Sequence, residues 1–102
     1  VVVVHSKYWR SPHWSHEFEY FFEIVPTPEL TEQLFIKNQL REIKGVEAVT
    51  AKSNFFGDKP PWFTPGEGTH YEVWVYKVEP GGNFRVFVNK HNGHLFITDY
   101  QV

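Results

Sequence analysis

The stretch FRVFVNKHNGHLFITDY, Phe84 to Tyr100, constrains the fold of this chain more than any other segment. Asn92-Gly93 readily takes the two positive backbone dihedrals of a tight hairpin turn, and its flanks alternate as two strands. With His91 and His94 as the pair flanking the turn, Phe84, Val86, Val88, Leu95 and Ile97 share one face. Arg85, Phe87, Asn89, Phe96, Thr98 and Tyr100 share the other. Both faces are therefore largely apolar. One can serve a core against a helix; the second needs a cover of its own, because a contiguous apolar patch on a small domain is ordinarily buried.

The rest of the chain supplies the other elements. EFEYFFEIV predicts a half-buried strand with Phe18, Tyr20, Phe22 and Ile24 to one side and Glu17, Glu19 and Glu23 to the other, a carboxylate face expected to remain wet. PTPELTEQLFIKNQLREIKG predicts one helix, capped by Thr27, begun by Pro28 and ended by Gly45. Its apolar stripe is Ile36, Leu40 and Ile43, widened by Leu30 and Leu34, with Phe35 pointing away. VEAVTAKSNFF, Val46 to Phe56, predicts a second strand and HYEVWVYKV, His70 to Val78, a third, which Pro80-Gly81-Gly82 turns into the terminal hairpin.

An even loop at that turn pairs Tyr71, Val73 and Val75 with the Phe84 face; an odd loop pairs Trp74 and Tyr76 with it. The even loop is favoured, since it gathers Trp74, Tyr76, Phe87, Phe96 and Tyr100 on the far side with Glu72 and Arg85. The predicted fold is a single α+β domain over residues 1–102. One helix packs on a bent antiparallel sheet of four to five strands, in the order strand, helix and four strands, after an aromatic, His-rich amino-terminal arm of residues 1–16. The aromatic far face is expected to be covered either by that arm, through Tyr8, Trp9 and Trp14, or by a second copy in a homodimer.

Composition narrows the function classes. The 102 residues carry a formal net charge of −2, which gives no general drive toward phosphate backbones or anionic lipid. There is no Cys, which removes disulfides, thiolate metal sites and thiol nucleophiles. VVVV at the start is far shorter than the roughly 20 apolar residues of a membrane span, so the chain reads as soluble.

LREIKGVEAV, then YEVWV, then FRVFVNKHNGHLF, between Leu40 and Phe96, resembles the PepSY family of small domains. With the added first strand the element order is similar to cystatin-like folds. The cystatin loop motif Gln-Val-Val-Ala-Gly is absent, so cysteine-protease inhibition is not carried over. What both resemblances imply is a binding or inhibitory domain without its own catalysis.

The candidate sites follow from residue type. Pro60-Pro61-Trp62-Phe63-Thr64-Pro65 points to recognition, because prolines limit the freedom lost on binding and Trp is enriched at interface hot spots. Trp62 plugging the open end of the core is its other reading. His91 and His94, as direct cross-strand neighbours, could share a metal with a His from the arm, His13 or His16. Ser11, Ser15, His16 and Asp99 lack the context of a hydrolytic centre, so no enzymatic activity and no cofactor are expected. The aromatic face could stack single-stranded bases, but lacks a cationic groove. The expected function is a non-enzymatic protein-binding or inhibitory module. Its partner is another protein or a second copy, contacted through Trp62 and Phe63 and the aromatic set Trp74, Tyr76, Phe87, Phe96 and Tyr100. The alternatives are a small metal- or ligand-binding protein using the paired histidines, or a single-stranded nucleic-acid binder.

Overall fold

The computed structural model describes residues 2–12, 17–66, 70–76 and 83–101. The predicted His13/His16 pair and the Pro80-Gly81-Gly82 turn lie outside them. The fold is α+β with one antiparallel sheet, and the sheet has six strands where four to five were expected. They are β1 (Val2–Arg10), β2 (Phe18–Val25), β3 (Leu40–Ile43), β4 (Tyr71–Tyr76), β5 (Arg85–Asn89) and β6 (Leu95–Gln101), in spatial order β1-β2-β6-β5-β4-β3. A short helix, α1 (Pro28–Thr31), runs into a π-wound segment, Glu32–Lys37, and a second helix, α2 (Val46–Ala51), follows β3.

The amino-terminal segment does not fold back across the sheet. It extends the sheet sideways as β1, paired along β2 from Val2↔Val25 to Arg10↔Phe18 with a bulge between Val3 and His5. The two-faced hairpin is retained with the predicted faces, Val86 opposite Ile97 and Phe87 opposite Phe96. Its turn is longer than predicted. Asn89 donates its N–H to the His94 carbonyl at 3.0 Å, and Lys90 to Gly93 form the loop, with Gly93 at φ 75°. The Asn89 and Asn92 side chains accept the N–H groups of His91 and His94, each at 2.9 Å, and hold that wider turn. The shift is an even number of residues, so every side chain keeps its face.

Three local expectations fail for identifiable reasons. The predicted helix stops at Asn38, whose side-chain amide donates to the Gln33 carbonyl, and Gln39 takes a positive φ of 54°. Leu40 and Ile43, three residues apart, would share a helix face; as strand residues they point to opposite faces, and both are buried because both faces are covered. The π winding turns Leu34 and Phe35 inward and leaves Ile36 exposed, the reverse of the α-helical expectation for Phe35 and Ile36. The predicted strand from Val46 begins instead as α2, entered through Gly45 at φ 67°. Ala48 and Ala51 let this short helix lie close to the sheet, while Val46 and Val49 face outward.

The β4/β5 register is the odd one. Trp74 lies opposite Val86 and Val73 opposite Phe87, so Trp74 and Tyr76 join the aliphatic face and do not stand with Phe87, Phe96 and Tyr100. That aliphatic face carries Ile24, Leu40, Val86 and Leu95, covered by Leu30, Leu34 and Phe35. The opposite face carries Phe21, Ile43, Tyr71, Val73, Phe87 and Phe96, covered by α2 and by the segment that follows it through Phe63. The second apolar face is thus closed by residues 46–66 of the same chain, neither by the arm nor by a second molecule.

Candidate binding site

Residues 52–66 have no regular structure, so they cannot satisfy their backbone by repetition, and buried charges on the sheet do it for them. Glu19 of β2, read from sequence as part of a wet carboxylate face, is buried and accepts the N–H groups of Phe56 at 3.0 Å and Gly57 at 2.8 Å. Arg85 of β5, 3% exposed, donates from Nη1 to the carbonyls of Ala51 and Asn54 and from Nε to that of Asn83. It therefore ends α2 and fixes the chain beyond it. The rings of Phe55 and Tyr100 lie 5.1 and 5.8 Å from its guanidinium carbon. Burial pushes the Arg85 pKa below its ordinary value, while Tyr100, Asp99 and Glu19 act in the opposite direction.

With the segment so held, Phe63 reaches the centre of the core. It is fully buried, with ring centroids 5.1, 5.9, 5.9 and 5.5 Å from those of Phe21, Phe55, Phe87 and Phe96. Phe63, Phe87 and Phe96 are core residues, which removes them from the expected contact surface. Trp62 remains partly exposed, stacked on His5 of β1 at 5.0 Å. Trp74 meets the edge of Phe35 at 5.1 Å and donates its indole N–H to Glu72. Tyr76 stacks on Phe84 at 5.0 Å, and the Tyr100 hydroxyl donates to Asn54 at 2.9 Å. The expected aromatic contact set is divided between the two faces and does not form one patch.

The histidines are also separated. His91 is exposed in the turn, 4.5 Å from the His70 ring, while the Nδ1 of His94 lies 2.9 Å from Glu23 Oε2. The other Glu23 oxygen, Oε1, is 2.9 Å from His5 Nδ1. Glu23 thus ties β1 to the start of β6. Burial pushes the Glu23 carboxyl upward, and the hydrogen bonds and charges of His94 and His5 outweigh it, so its pKa lies below the usual carboxylate value. Among the described residues, no group of three or more His, Asp or Glu side chains is placed to hold a metal.

Two surface features remain. The first is β1, an outermost strand whose residues are all exposed, with Val3 at 56%, Tyr8 at 62% and Trp9 at 40%. No strand among the described residues pairs with its outer edge. Trp9, Phe56 and Tyr100 continue from it as a row of rings, at 5.7 and 6.3 Å. Sequence reasoning treated this segment as an arm and weighed VVVV only against a membrane span; VVVV also carries the β-branched signal for a strand. The second feature is a cleft of about 350 Å³ beside α2, with Arg85 on its wall. No protein-family model, curated protein or solved structure matches this chain significantly.

Proposed function

We propose that the chain is a non-enzymatic protein-binding module whose interface is the outer edge of β1, and that the occupant is the β1 of a second copy in antiparallel register. The observation carrying this reading is a nine-residue edge strand with an open edge and exposed apolar side chains. Such an edge presents unpaired backbone groups to an incoming strand. With the two-fold axis at Ser6, His5 to Lys7 pair in register across the two copies, while the bulge at Val4 sets Val3, opposite Ile24, on the other face of the sheet from Trp9, opposite Glu19. His5 would face Lys7, with the His5 ring held by its bond to Glu23. Lys7 and the bulge at Val4 guard against indiscriminate pairing and so favour a matched strand.

The PepSY-like and cystatin-like resemblance implies the same class of function. Its support lies in the terminal hairpin, because the segment read as helix and strand across Gly45 forms β3 and α2.

Light scattering over a concentration series tests the reading. The wild type is expected to dimerise and the Val3→Lys/Tyr8→Lys double variant, altered only at exposed positions, to remain monomeric with an unchanged circular dichroism spectrum. A wild type that stays monomeric throughout, or a double variant that dimerises equally well, would overturn it.

A further inference from the structure

The aliphatic face of the sheet carries a carboxylate set among aromatic rings. Tyr8, Tyr20 and Asp99 stand directly opposite one another on β1, β2 and β6, so their side chains share that face. On the other side of Asp99 the ladders end at Arg85↔Thr98 and Val75↔Arg85, and the next residues along, Phe84 and Tyr76, pack with the aliphatic cluster. Their rings stack at 5.0 Å. Phe18 and Phe22 flank Tyr20 along β2, with ring centroids 6.1 and 5.4 Å from its own.

Asp99 is only partly exposed, and among the described residues no Lys, Arg or His forms an ion pair with it. Burial raises its carboxyl above the ordinary value, against a hydrogen bond from the Tyr100 N–H and the charge of Arg85. Arg85 acts from the opposite face of the sheet, where its guanidinium lies against Phe55 and Tyr100. Arg10 is on the same face as Asp99 but beyond Phe18, two strands from β6. The neighbouring tyrosines offer no charge, since burial, with Asp99 and Tyr76, pushes the Tyr20 hydroxyl up to about 12.

A carboxylate that gives up hydration without gaining a counter-charge is a net cost to the fold. The same carboxylate among aromatic rings is suited to a cation from solution, which the negative charge and the ring quadrupoles both attract. The scarcity of acceptors selects among cations. A primary ammonium or a guanidinium needs an acceptor for each N–H it brings out of water, and here only Asp99 and the tyrosine hydroxyls are at hand. A quaternary ammonium brings no N–H, and its methyl groups are satisfied by ring surface.

We infer that Asp99 and the rings around it bind a small quaternary ammonium compound, its charge against Asp99 and its methyl groups against Tyr20, Tyr76 and Phe84. The site lies two strands inside the β1 edge and does not depend on self-association.

Two-dimensional NMR titration at constant ionic strength with choline, its uncharged carbon isostere dimethylbutanol, and ammonium chloride tests this. Choline is expected to shift the Tyr20, Tyr76 and Asp99 signals, with dimethylbutanol and ammonium each weaker by about tenfold or more. Phosphatidylcholine vesicles separate the two sources of the group: co-sedimentation alongside choline binding assigns a lipid headgroup, and choline binding alone a soluble ligand. Asp99→Asn keeps the shape and an acceptor for the Tyr100 N–H. It should weaken choline by about tenfold and raise the thermal midpoint near neutral pH, because a carboxyl whose pKa is raised by folding costs stability where it is charged. Tyr76→Leu should also weaken choline while leaving Asp99 in place. Absence of choline shifts, equal affinity for dimethylbutanol or ammonium, or full choline binding by Asp99→Asn would each overturn the assignment.

Discussion

The two faces of the sheet are both apolar, yet they are closed by different physics. On the aliphatic face, the α1 and π-wound segment satisfies much of its backbone internally and contributes only side chains, Leu30, Leu34 and Phe35, so hydrophobic contact is sufficient. On the aromatic face, much of the cover is an irregular segment whose backbone groups need partners. There the sheet supplies Glu19 and Arg85, two buried charges aimed at main-chain atoms. A helix can cover a sheet through its side chains, whereas a loop must also be tied by its backbone.

That contrast can be broken at several points. The largest effect is expected for Phe63→Ala, which removes a fully buried ring touching four others and should cost about 3–5 kcal/mol in denaturant unfolding. Leu34→Ala on the other face, partly buried, should cost less than half of that. Glu19→Ala leaves two amides without their acceptor and should cost roughly 1–3 kcal/mol. Glu19→Gln retains one acceptor oxygen and should be milder, a difference that pure packing would not produce.

A smaller effect concerns the tie between β1 and β6. The Glu23 pKa is lowered in the folded state from the ordinary 4.5, so its contribution is complete above that value and is lost as pH falls through the folded-state pKa. Glu23→Gln should lower stability slightly above pH 4.5, where the wild-type carboxylate contributes in full, and flatten the acid side of the profile so that the two proteins converge as pH falls. The smallest effect is expected for Ile36→Ser. Its side chain is exposed, so unfolding should shift by no more than about 0.5 kcal/mol, whereas an α-helical stripe would have made it a core substitution.

The hairpin faces, the strand from Phe18 and the α+β class were legible because alternation survives wherever a strand is long. The β4/β5 register was not, since both candidate faces of YEVWVY are apolar and either parity buries them. LREI misled because a sheet covered on both sides buries Leu40 and Ile43 as well as a helix stripe would. Glu19 was misread because a carboxylate alternating with aromatics ordinarily marks a solvated face; only the fold brings two unpaired amides to it. The Trp62-Phe63 pair marks a large apolar load in a proline-rich segment, but its residue types do not show that Phe63 turns inward while Trp62 remains at the surface.

The central claim is that the aromatic face is closed within one chain. Amide hydrogen exchange at Phe56 and Gly57, followed across a dilution series, tests it most directly. The account predicts slow exchange at both amides that is independent of concentration and is lost in Glu19→Ala. Fast exchange at every concentration, or protection that disappears on dilution, would mean that the cover is open or belongs to a second molecule.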